Sequence, residues 1–166
     1  VGDMRSNQAG ETGAVWIYRG ILAATRDASV REFASAHLET EAKHLLGINA
    51  LLPALRRSKL LILWRIAGFL TGSIPALFGP KAVFATIEAV ETFVEYHYQV
   101  QIDQLVRRGG HTELLSLLIE FQSDERSHRL EAIENLNASK TPRLIRSWCH
   151  LVSVGSKFAV KIARVI

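Results

Sequence analysis

The sequence predicts an all-α chain. Apolar residues recur at i, i+3, i+4 and i+7 through most of its length, no stretch alternates with period two, and turn formers are sparse, with 4 Pro and 11 Gly in 166 residues. Hydrophobic residues make up 48% and charged residues 22%, a globular rather than a disordered composition. A chain of this length buries enough surface to fold without disulfides, and with Cys149 as its only cysteine it suits a reducing compartment. Twenty basic against 16 acidic residues give +4, with no dense Lys/Arg block, which excludes a nucleic-acid groove. The first residues, Val1-Gly2-Asp3-Met4-Arg5, lack the charged-then-apolar pattern of a secretory signal.

Taken in order, the first helix is expected over about 7–27, with Ala14, Ile17, Tyr18, Ile21 and Leu22 on one stripe and Trp16 and Tyr18 in the core. The second, about 30–52, places Phe33, His37, Glu41, His44 and Ile48 on one side and stops near Pro53. The segment from Lys59 to Pro80 is apolar for about twenty residues but broken by Arg65, Pro75 and three glycines, so it does not read as a spanning helix. It is expected to be a short helix plus an extended crossover that packs over the other helices or faces a membrane. A third helix follows at about 81–107, ended by Gly109-Gly110, and a fourth at about 112–137. Pro142 then suits the first turn of a fifth, running over 142–166. Short, long and short connections mean two helical hairpins joined by one crossover, the connectivity of a ferritin-like four-helix bundle.

Two Glu-x-x-His units stand out, Glu41-Ala-Lys-His44 and Glu125-Arg-Ser-His128. Three residues turn a helix by about 300°, so Glu and His project from nearly one face and can reach one metal ion. A dinuclear carboxylate bundle takes such a unit from each of two helices and a single Glu from each of the other two. The first helix offers Glu11; the third offers Glu88, Glu91 and Glu95, among which spacing does not choose. Singly, each has an ordinary alternative: Glu11 as an acid at a helix start, the others as solvated or paired surface groups. Jointly, four carboxylates facing one core are prohibitively costly unless cations neutralise them. Two ferrous ions supply +4 against −4, and manganese fits the same oxygen and imidazole donors.

These residues also carry a family resemblance. The stretches Met4-Arg-Ser-Asn-Gln-Ala-Gly-Glu11-Thr-Gly-Ala-Val-Trp-Ile-Tyr-Arg-Gly20, Ala67-Gly-Phe-Leu-Thr-Gly-Ser-Ile-Pro-Ala-Leu-Phe-Gly79, Glu88-Ala-Val-Glu91-Thr-Phe-Val-Glu-Tyr-His97-Tyr98 and Asp124-Glu-Arg-Ser-His128 resemble the demethoxyubiquinone hydroxylases, di-iron monooxygenases of ubiquinone synthesis. The resemblance covers nearly the whole chain and implies one ferritin-like di-iron domain over 1–166. It implies iron ligands at Glu11, Glu41, His44, Glu91, Glu125 and His128, and so selects Glu91. It further implies O2 and a prenylated demethoxy-benzoquinol as substrates and NADH as reductant. Gln8, Ser6 and Gln99 depart from residues common in the family. Asp124 is expected to orient His44 from behind, since a metal-bound imidazole gives its other N–H to an acid or carbonyl. His97 and Tyr98, about two turns beyond Glu91, are candidates for proton or electron relay or for contact with the quinone.

A polyprenyl substrate lies in a bilayer, which predicts a peripheral membrane protein on the cytoplasmic face of a bacterial inner membrane or the matrix face of the mitochondrial one. The apolar 60–78 segment is flanked by Arg56, Arg57, Lys59 and Arg65. In the last helix Lys157, Lys161 and Arg164 form a polar stripe beside Trp148, Leu151, Val152, Phe158 and Ile162, the profile of an interfacial amphipathic helix. The same faces could dock a lipid-binding partner or a second copy. Setting aside four metal-neutralised Glu leaves 20 basic against 12 acidic groups, so the exterior is more basic than +4 suggests. Two other readings compete. One is a rubrerythrin- or ferritin-like peroxidase or iron oxidase on the same bundle; the other is a metal-free helical adaptor on the membrane surface.

Overall fold

The computed structural model describes residues 1–136 and 141–166, and every regular element among them is helical. The order is α1 (Gly2–Ala24), α2 (Ala28–Leu51), a 3₁₀ turn (Ala54–Arg56), α3 (Leu61–Ala76), α4 (Pro80–Arg108), α5 (Thr112–Asn135) and α6 (Arg143–Ala163). This is the all-helical, ferritin-like architecture that the sequence predicts. Hairpins α1–α2 and α4–α5 form the four-helix unit, with α3 in the crossover and α6 laid on α4 and α1.

Local chemistry sets the ends. The Asp27 carboxylate accepts from the Val30 amide at 3.0 Å and caps α2. Pro80 occupies the first turn of α4, where its missing N–H costs nothing. Gly109 and Gly110 have φ of 69° and 78°, left-handed values that stop α4 and turn the chain into α5.

Several boundaries differ from the sequence reading. α1 begins at Gly2 rather than near residue 7, because Ser6, Asn7 and Gln8 are themselves buried and polar, so the apolar period under-reports this helix. The expected end of the fourth helix at Asn137 falls outside the described residues. Pro142 precedes the first helical residue of α6.

The largest correction concerns 60–78, which is one helix through Ala76 and not a short helix with an extended tail. Gly68 and Gly72 do not break it, because they are the contact surface. A β-carbon on Gly68 would fall on the Gly13 carbonyl oxygen of α1, and one on Gly72 on that of Ile17. Across the contact, a β-carbon on Gly20 would meet the Phe69 carbonyl. The close approach that replaces side-chain packing offsets the poor helix propensity of glycine. Pro75 lies in the last turn, where only one backbone bond is forfeited. No described helix is long and apolar enough to cross a membrane.

Candidate metal centre

Each of the four bundle helices aims one carboxylate inward. Glu11 on α1, Glu41 on α2, Glu91 on α4 and Glu125 on α5 are all buried, as are His44 and His128. Their donor atoms fall into two sets, each with atoms within 4.8 Å of one another: Glu11, Glu41, His44 and Glu125, and Glu41, Glu91, Glu125 and His128. Glu41 and Glu125 belong to both.

The atoms show how the sharing works. Glu41 turns Oε2 toward His44 Nδ1, at 3.8 Å, and Oε1 toward His128 Nδ1, at 3.1 Å. Glu125 does the same, with Oε1 at 3.3 Å from His44 Nδ1 and Oε2 at 3.4 Å from His128 Nδ1. Each shared carboxylate therefore presents one oxygen to each half of the cluster. Both Glu41 oxygens, Glu11 Oε2, Glu125 Oε2 and both Nδ1 atoms are buried without hydrogen-bond partners. Buried polar atoms normally have one, so this group is arranged for partners other than protein donors. Four carboxylates and two imidazoles match two divalent cations in charge, donor type and number.

Around the six lies a second set of contacts. Glu11 and Tyr18 are seven residues apart on α1, as are Glu91 and Tyr98 on α4, and the pairs are crossed. The Tyr18 hydroxyl donates to Glu91 Oε1 at 3.0 Å, and the Tyr98 hydroxyl donates to Glu11 Oε1. Burial, then the neighbouring carboxylates, raises both phenols well above their ordinary pKa, so both stay protonated donors. His44 Nε2 lies 3.0 Å from Asp124 Oδ2, the carboxylate accepting from the ring.

Without metal the carboxylates are unsettled. Burial raises Glu41, Glu91 and Glu125 above the usual carboxylate range, and Glu125 adds to the shifts of Glu41 and Glu91. Burial works against charge on His44, yet Glu11 and Glu125 outweigh it and push the ring up to about 11. His128 is lowered, by burial foremost.

The structure thus brings together Glu11, Glu41, His44, Glu91, Glu125 and His128, with Asp124 behind His44 and Tyr98 on Glu11. It does not bring His97 to the cluster. That ring bonds Asn7 Oδ1 at 3.0 Å and sits 2.9 Å from Gln101 Nε2, and burial lowers it to about 4. Glu95 turns away to pair with Arg129 at 2.8 Å. Sequence reasoning placed Tyr18 only in the core and gave no role to His37. His37 is 4% exposed, pairs with Glu131 at 2.9 Å and packs its ring 3.9 Å from that of His128. The available signal was heptad spacing, Tyr18 from Glu11 and His37 from His44.

Fold and site together define a ferritin-like bundle with a buried carboxylate–histidine cluster able to hold a metal. The family described as ubiquinone biosynthesis protein COQ7 matches residues 2–163, and the chain belongs to that family. It is 36% identical over 164 residues to the NADPH-dependent 3-demethoxyubiquinone 3-hydroxylase, mitochondrial, of Dictyostelium discoideum, covering 95% of this chain and 73% of that one. It is 33% identical over 165 residues to the 3-demethoxyubiquinol 3-hydroxylase of Rhodospirillum rubrum, covering 96% and 75%. To the 5-demethoxyubiquinone hydroxylase, mitochondrial, of Saccharomyces cerevisiae it is 32% identical over 149 residues, covering 80% and 64%.

Proposed function

We propose that this protein is a di-iron monooxygenase that hydroxylates a prenylated demethoxy-benzoquinol with O2 in ubiquinone biosynthesis. The observation that carries this is the pair of shared carboxylates, each with one oxygen toward each histidine, inside a family whose named members hydroxylate demethoxyubiquinone or its quinol. Glu11 and His44 would complete one metal position, and Glu91 and His128 the other, with manganese an alternative occupant. When bound, the metal pair supplies the activation of O2 and the oxidation of the ring.

The protein supplies the rest. Tyr18 and Tyr98 each occupy one oxygen of a terminal carboxylate, which leaves the other oxygen for metal. Asp124 fixes the ring orientation of His44. Phe121 stacks on the His44 ring at 4.0 Å between centroids and shields that side of the reacting centre from water. Reducing equivalents come from a reduced nicotinamide nucleotide; the resemblance implied NADH, whereas the names of several relatives specify NADPH.

The site of reaction must meet a substrate with an isoprenoid tail. Ile74, Pro75, Phe78, Ala82, Trp148 and Leu151 line an apolar groove of about 360 Å³ between α3, α4 and α6. Ala82 precedes Glu91 by nine residues, roughly 13 Å along α4. The prenyl chain lies in this groove with the ring directed toward the cluster. Beside it, Ile62, Leu63, Ile66, Leu70, Leu77 and Phe78 of the α3 region are exposed. So are Leu144, Leu151 and Phe158 of α6. This flank rests on the membrane surface: the matrix face in mitochondria, where several relatives are placed by name, or the cytoplasmic face in bacteria. A soluble iron-oxidising shell has no use for such a flank, which sets that reading below the hydroxylase.

The decisive measurement is mass spectrometry of quinones from cells with and without the protein. Its loss should accumulate a precursor with hydrogen in place of one methoxy group of ubiquinone, a defect corrected by the unaltered chain and not by Glu125→Ala. Unchanged quinones refute the proposal.

A further inference from the structure

The two halves of the cluster are built alike up to the histidines and differ behind them. Helices α2 and α5 run antiparallel across the site, tied by His44–Asp124 on one side and His37–Glu131 on the other. In each helix the Glu-x-x-His unit is preceded by one residue that lines the cleft between them, a cleft of about 480 Å³ reached by both histidines. On α5 that residue is Asp124, which accepts from His44 across the cleft. On α2 it is Thr40, the matching position opposite His128.

Thr40 is not bonded to His128. Among the described residues no acceptor takes a hydrogen bond from the outer nitrogen of that ring. Its flank is covered by the His37 ring, tilted 62° at 3.9 Å, which is a packing contact and donates no electron density. His37 in turn is held by Glu131, which is half exposed. One imidazole is therefore backed by a carboxylate and the other is only braced. A carboxylate behind a metal-bound imidazole fixes its tautomer, aims its lone pair and raises its basicity. Loss of such a partner commonly costs ten- to a hundredfold in metal affinity.

We infer that the two metal positions are unequal, the one held by His44 being the tighter because Asp124 backs it, and the one held by His128 the weaker because Thr40 stands where the matching acid would be. The inference rests on the dinuclear reading of the site. Asp124 is thereby a positioning residue for one metal alone, and Thr40 sets the difference between the two. The position held by His128 fills last and empties first.

The test is an anaerobic titration of the full-length protein with ferrous ion, followed by release to a ferrous chelator. The unaltered protein should bind two ions in two steps at least tenfold apart and release one ion faster than the other. Asp124→Asn should weaken the tight step by ten- to a hundredfold and leave the weak one in place, whereas Thr40→Asp should strengthen the weak step and narrow the gap. Mössbauer spectra of the unaltered protein at one iron per chain should show mainly one environment, a readout that needs no variant to fold. Two equal steps, equal weakening of both by Asp124→Asn, or a gap untouched by Thr40→Asp would overturn the inference and leave the dinuclear reading standing. Binding of no iron at all would remove that reading itself.

Discussion

The bundle interior at the cluster and the outer flank of α3 and α6 invert the usual arrangement in opposite ways. The interior holds four carboxylates and two imidazoles with most of their inward atoms unpartnered. The flank turns Ile62, Leu77, Leu144 and Phe158 outward, each more than three-fifths exposed. A charged core and a greasy exterior are each unfavourable for a chain alone in water. In the function proposed above, each is resolved by something the chain does not itself contain, cations inside and an apolar phase outside. The two regions are mechanically joined, since α1 carries Glu11 and Tyr18 on one face and seats α3 on another. Departures from ordinary burial rules mark the two regions on which the proposed function draws.

Breaking the interior should have the largest effect. Glu125→Ala removes an oxygen from both halves of the cluster, so iron per chain should fall below one and hydroxylation should drop by a hundredfold or more. The helical circular dichroism should persist, and retained turnover would sink the shared-ligand assignment.

Next comes the joint between the regions. Gly72→Val places a branched side chain on the Ile17 carbonyl, and overpacking of this kind costs roughly 1–3 kcal/mol, which lowers Tm by roughly 3–10 °C. Calorimetry of the metal-free protein checks it; an unchanged Tm would mean that α3 is not seated against α1 as described.

The tyrosines sharpen the interior. Tyr18→Phe and Tyr98→Phe should each weaken metal binding by about tenfold, as loss of a hydrogen bond to a ligand does. If the affinity is the same with and without the hydroxyl, the crossed contacts have no part in holding the ligands.

The acid–base behaviour separates the metal-free from the loaded cluster. Because Glu41, Glu91 and Glu125 are raised above ordinary carboxylates and His44 lies at about 11, the metal-free cluster retains protons at neutral pH. A divalent cation must displace them, so loading should release a measurable number of protons near pH 7, and affinity should rise with pH and fall on acidification. Titration calorimetry in buffers of different ionisation enthalpy reads this number directly. Heats that do not depend on the buffer would contradict it.

The smallest effect belongs to the flank. Replacing Ile62 and Phe158 by Ser should weaken binding to liposomes by about tenfold while hydroxylation of a short-chain quinol stays within twofold. Equal liposome binding would detach the flank from any membrane role.

Much of this was legible in the residues, for stated reasons. Helical period and stop signals give the elements, and Glu-x-x-His units place ligands one turn apart whatever surrounds them. The single carboxylate of α4 was not legible from spacing, since Glu88, Glu91 and Glu95 share a face; the family resemblance selected Glu91, and the structure sends Glu95 to Arg129 instead. The helix through 61–76 was hidden because Gly and Pro read as breaks when their neighbour is unknown. His37–Glu131 was hidden because its partners lie 94 positions apart.

By itself the sequence determined the four bundle helices, their connectivity and the chemical content of the cluster, because these depend on period, length and side-chain type along one chain. Only the tertiary structure decided which oxygen faces which imidazole, that the tyrosines cross between α1 and α4, and that Thr40 rather than an acid lies opposite His128. Those depend on the distance and rotation between separate helices, which are set where glycine meets backbone and ring meets ring, and no pattern within a single helix encodes them.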